Sequence, residues 1–101
     1  MSDIIDKAIE ILERDGWCRL TETNEAGQHC AIGALQWAAL ELGLDCNAPL
    51  HAENTAALLL SERHGYPISV PGWNDDVAKN VDEVIGLFKL TGEELDLQVT
   101  R

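Results

Sequence analysis

A mostly α-helical single domain, a compact bundle of about four helices around one buried central helix, is the fold class this chain predicts, and three observations carry it. Apolar residues recur at helical spacing near the N-terminus and again from Val77 to Phe88. Residues 30 to 42 are apolar on nearly every side. The segments between these stretches are short and punctuated by glycine or proline, which places successive helices beside one another.

The first helix is expected over residues 3 to 15. Ile5, Ala8, Ile9 and Leu12 fall at i, i+3, i+4 and i+7, and Asp6, Lys7, Glu10 and Glu13 take the other side. Ser2 is a candidate N-cap and Gly16 a candidate stop. From Trp17 to His29 the chain carries Thr21, Thr23, Asn24 and Gly27 without helical period, which reads as a loop or a short β-hairpin turning at Asn24 to Gly27. The second helix, Cys30 to Leu42, ends at Gly43 and has only Gln36 and Glu41 as strongly polar residues, so it is expected to be the buried one. Gly33 in its interior costs about 1 kcal/mol relative to Ala, and close packing or a ligand contact would justify it.

A third helix is expected from Pro49 or Leu50 to His64, with Pro49 in its first turn, Ala56, Leu59 and Leu60 facing the core, and Gly65 and Pro67 ending it. Residues 65 to 72 read as an extended connector because each proline biases its predecessor away from helix. The fourth helix then runs from Asp75 to Leu90, with Val77, Val81, Val84, Ile85 and Phe88 on one face. Residues 1 to 92 form the domain; the tail, 93 to 101, reads equally as a strand, a packing arm or a disordered end.

A chain of 101 residues supports one core, and with 5% aromatics that core must come mainly from Leu, Ile, Val and Ala. No apolar run reaches the length of a membrane span, and Met1-Ser2-Asp3 lacks the character of a secretory signal, so a cytoplasmic protein without membrane contact is expected. Cys18, Cys30 and Cys46 match neither a disulfide framework nor a zinc spacing, so no metal and no cofactor are expected. The net charge of −11, from 18 acids against 7 bases, argues against direct nucleic-acid binding, which needs a basic footprint.

Trp73-Asn74-Asp75-Asp76 precedes the last amphipathic pattern, where Asn74 would cap the helix, the two aspartates would complement its positive end, and Trp73 with Ala78 would form a hydrophobic staple. Cys30 at a helix start, with His29, Asn74 and Asp75, supplies the ingredients of a cysteine hydrolase without a signature that orders them. Trp17 reads as a lid on the core or, if exposed, a partner anchor.

Gly16-Trp17-Cys18, the Gly27-x-x-Cys30-Ala-Ile-Gly33-Ala-Leu35 segment and Trp73-Asn74-Asp75 before Glu83-Val84-Ile85 together resemble a family of small uncharacterised proteins from actinobacteria and their phages, a domain of unknown function. The resemblance spans residues 3 to 90 and implies a mostly helical fold and a bacterial or phage cytosolic setting, with no activity, substrate or cofactor. After the Trp-Asn-Asp motif the family often has a small or arginine-containing linker; Asp76-Val77-Ala78-Lys79 stands here instead.

The function expected from these features is non-enzymatic: an accessory protein, phage-encoded and aimed at a host protein in the sharper version, meeting a basic partner surface through Trp17, Trp73, Asp75 and Asp76. One alternative is a small-molecule-binding or hydrolytic domain with Cys30, His29, Asn74 and Asp75 in one cleft; another is an acidic DNA mimic. The oligomeric state is left open.

Overall fold

The computed structural model describes residues 3–100. Within them five helices run in order: α1 (Asp3–Asp15), α2 (Ala31–Leu42), α3 (Asn47–His64), α4 (Val70–Asp76) and α5 (Val81–Thr100). α1 packs on α2 and α5, and α3 closes the bundle against α5 and α2. The radius of gyration, 12.5 Å, matches about 13 Å for a compact chain of this length. No described helix is long and apolar enough to cross a membrane.

α1 buries Ile4, Ile5, Ala8, Ile11 and Leu12, so the apolar stripe is turned slightly from the expected one and Ile9 sits at its margin. The candidate cap Ser2 lies outside the described residues. Gly16, Gly43 and Gly65 follow α1, α2 and α3, all with positive φ, as helix stops in glycine should be. In α2, Gly33 has the close approach its sequence position called for: a Cβ there would stand 2.0 Å from the carbonyl oxygen of Glu22 in the preceding loop.

Burial of α2 is one-sided, contrary to expectation. Ala31 to Leu35, Ala38 and Ala39 are buried, whereas Gln36, Trp37, Leu40, Glu41 and Leu42 are exposed. The small residues let α1, α3 and α4 come close, but all three lie against the same side of α2, and its Gln36, Trp37 and Leu40 positions are left uncovered. α3 begins at Asn47, two residues before Pro49, and Leu59 is only half-buried beside Ala56 and Leu60.

The larger departure lies between α3 and α5. The connector stays extended only to Ser69, whose hydroxyl accepts from the backbone of Gly72 at 3.2 Å and starts α4. Pro71, in the first turn, lacks a donor that this turn would not use, so it permits the helix. Asn74 and Asp75 therefore end a short helix and do not cap the next one. Trp73, also in α4, is no staple; its carbonyl accepts from Val77 and Ala78 as α4 closes. The cap of α5 is Asn80, whose Oδ1 accepts from the backbone of Glu83 at 3.1 Å, while Glu83 Oε2 accepts from the backbone of Lys79 at 3.3 Å. α5 buries Val84, Leu87, Phe88 and Thr91 and continues as helix to Thr100, so the described part of the tail is helical and not a strand.

The hairpin is reduced to its turn. Asn24 and Gly27 close it at 3.0 Å, with Asn24 Oδ1 accepting from Ala26 and Gln28, but among the described residues only isolated bridges occur, from Trp17 and from Thr23 to His29.

Candidate functional site

The loop from Gly16 to Cys30 is fastened to the bundle at two polar centres. The first is Asn74, fully buried near the end of α4. Its Oδ1 accepts from Trp17 Nε1 at 2.7 Å and from the backbone of Ala31 at 3.0 Å; its Nδ2 donates to the Cys18 carbonyl at 3.2 Å and to Asp75 Oδ1 at 3.1 Å. One side chain thus ties α4, the loop and the first turn of α2. Asp75 Oδ1 also accepts from the backbone of Leu20 at 2.8 Å, and Arg19 donates to the Ala78 carbonyl while its guanidinium lies 5.0 Å from the Trp17 ring centre. These contacts hold Leu20 at φ 72°, a left-handed conformation unusual for leucine, with 82% of its surface exposed.

The second centre is His29, which is 3% exposed. Its Nε2 lies 3.0 Å from Asp15 Oδ2 at the end of α1, and its Nδ1 lies 2.8 Å from Thr23 Oγ1. Trp37 of α2 donates its Nε1–H to the same Oγ1 at 3.2 Å. Arg14, which also reaches Glu41 on α2, lies beside Asp15; its guanidinium, and after it His29, holds the Asp15 carboxyl well below the usual carboxylate range. With the imidazole in its neutral form, Nε2–H donates to the Asp15 carboxylate and Nδ1 accepts from the Thr23 hydroxyl; this tautomer is assigned from the partners. A depression of about 430 Å³ opens over Arg14, Asp15, Thr23, Gly27, His29 and Trp37.

The residues expected to form a cysteine-hydrolase cleft are thereby divided. Cys30 and Asp75 line a smaller depression of about 140 Å³ with Leu20, Thr21 and Glu22, His29 faces the other one with both ring nitrogens engaged, and Asn74 is sealed inside. Cys30 Sγ accepts from the backbone of Gly33 at 3.4 Å and so caps α2, but burial outweighs that donor and pushes the thiol up. Cys18 is buried and pushed up in the same way, and Cys46 is exposed. Among the described residues no group of His, Cys, Asp and Glu could hold a metal.

Of the side chains expected at a partner surface, Asp76 is exposed, Trp17 and Asp75 are half-buried, and Trp73 belongs to the core cluster. Sequence reasoning did not single out Trp37, Leu20, Thr23 or Asp15. The signal for Trp37 was present in the all-round apolar character of residues 30 to 42, read there as burial.

A model described as Family of unknown function (DUF6197) matches residues 1–94. Neither a curated protein nor a solved structure matches the chain.

Proposed function

The chain belongs to that family of unknown function, and from this premise we propose that it acts by protein–protein contact, through the outer face of α2. The observation that supports this reading is the exposure of Trp37 (43%) and Leu40 (70%), three positions apart on one face of α2. Large apolar side chains left outside a core at helical spacing are the pattern of a helix face that meets a partner, and tryptophan is the side chain that most often anchors such contacts.

Charge chooses the partner. At −11 per chain, two copies would repel each other, so the occupant is a different protein with an apolar groove rimmed by lysine and arginine. Asp75 and Asp76 contribute to the field that steers it. The same reading places the protein in the cytoplasm of a bacterium or of a phage-infected host.

The test is capture from bacterial cytosol at low and moderate salt with tagged wild-type protein, with Trp37→Ser/Leu40→Ser, and with Leu58→Ser, which removes an exposed leucine on α3. One stoichiometric partner retained by wild type and Leu58→Ser, lost with the double variant and weakened by salt, supports the reading. Equal capture by all three folded baits, or none by any, overturns it.

A further inference from the structure

The line Asp15, His29, Thr23 does something a docking surface does not require: it sets an imidazole nitrogen 2.8 Å from a hydroxyl that borders an open depression. We propose that Thr23 Oγ1 is a nucleophile for acyl transfer from small uncharged esters, with His29 as its general base and Asp15 as the residue that positions the imidazole. A hydroxyl is a weak nucleophile until an adjacent base takes its proton, and the diagnostic arrangement is nucleophile and base within hydrogen-bond reach, with the base oriented by a third group. Here those separations are 2.8 Å and 3.0 Å. Such a constellation is recognised by geometry and roles and not by sequence position.

Burial is distributed as the chemistry needs. His29 is 3% exposed and so is held in one orientation, whereas Thr23 is half-buried and lines the depression of about 430 Å³, where a reactant reaches it. The Trp37 indole, 3.2 Å from Oγ1 through its N–H, forms one wall and stands where that donor turns from Oγ1 to a developing carbonyl oxyanion. The charge of −11 disfavours polyanionic substrates, and an uncharged ester meets no such repulsion.

The step balances within these residues. Oγ1 attacks the ester carbonyl carbon as its proton passes to His29 Nδ1; the C–O bond to the alcohol breaks and the leaving oxygen takes the proton from Nδ1. Water then attacks the acyl-threonine, delivers a proton to Nδ1, and the proton returns to Oγ1 as the acid departs.

p-Nitrophenyl acetate tests this on the full chain carrying Cys46→Ser, which removes the exposed thiol as a competing nucleophile. The expected result is release of nitrophenolate with acetyl on the Thr23 peptide by mass spectrometry. Thr23→Val, which keeps the shape, and His29→Gln lower the rate by about 100-fold or more, whereas Thr23→Ser retains it. Asp15→Asn lowers kcat and leaves KM unchanged, a split that a merely structural role would not produce. A wild-type rate no higher than buffer, acetyl found elsewhere, or an unchanged rate in folded Thr23→Val overturns the proposal.

Discussion

The indole of Trp17 and the amide oxygen of Asn74 meet at 2.7 Å, although 57 positions of chain separate them. The bond closes the loop after α1 onto the end of α4, and the same oxygen also takes the first backbone N–H of α2. Asn74→Ala therefore leaves the Ala31 amide without its acceptor in the interior. A loss of about 3 kcal/mol is expected, and with it a fall in Tm of more than about 10 °C. Trp17→Phe deletes one donor and part of a half-buried ring and should cost about 1 to 2 kcal/mol. Thermal unfolding followed by circular dichroism separates the two, and equal losses would mean that Asn74 does no more than hold Trp17.

Two glycines should respond in opposite directions. A Cβ at Gly33 would lie 2.0 Å from a backbone oxygen of Glu22, which cannot rotate away as a side-chain end would. Gly33→Ala is expected to cost about 2 kcal/mol or more, because the loop must lift from α2. Gly86 is exposed inside α5 with nothing within 4 Å of a Cβ, so Gly86→Ala should gain about 0.5 to 1 kcal/mol from helix propensity alone. Urea midpoints at constant m-value measure both.

These cases also divide what the sequence made legible from what it did not. Helix stops are local chemistry, and Gly16, Gly43 and Gly65 all have the positive φ that marks them. Asn74 was misplaced because Asn and Asp are intrinsically capping residues, and nothing within a few residues shows that its partners lie 43 and 57 positions away. The true cap had a readable signature: Asn80 followed by Glu83 is a cap with its N3 carboxylate, but it was hidden inside a stretch already assigned to a helix. His29, Thr23 and Asp15 form no local motif; only the turn at Asn24 to Gly27 and the end of α1 bring them together.

Leu20 holds a left-handed backbone at φ 72° with its side chain in water. An L-residue with a Cβ pays about 1 kcal/mol or more for that conformation, and asparagine tolerates it best. Leu20→Asn is expected to stabilise the fold by about 1 kcal/mol, since the exposed leucine contributes little packing. A loss of stability would mean that Leu20 packs in a way its exposure does not suggest.

Thiol chemistry should rank the three cysteines. Burial pushes Cys18 and Cys30 up, so at neutral pH both stay protonated within the core and react only when the loop opens. Exposed Cys46 is expected to react first with a disulfide reagent, with one equivalent consumed well before the others. In Asn74→Ala the second and third equivalents should follow much faster, because the loop that shields both thiols has lost its tie to α4. Rapid labelling of Cys30 in the folded wild-type protein would instead indicate an activated thiolate.

Acid should loosen the junction of α1 with α2 before it unfolds the core. Arg14, together with His29, holds Asp15 below the carboxylate range, and Arg14 does the same for Glu41. A carboxylate whose folded value is depressed contributes its stabilisation in full above the unfolded value and loses it as pH falls through the folded one, so the effect begins below about pH 5 and deepens from there. Arg14→Gln removes the shared cation and should flatten this acid limb by lowering stability at neutral pH toward its acid value, a small loss because the pairs are solvent-accessible. High salt should flatten it in the wild type as well. Urea midpoints across the acid range, at low and high salt, measure the slope; an identical acid limb in Arg14→Gln would show that the Asp15 carboxylate is held by His29 alone.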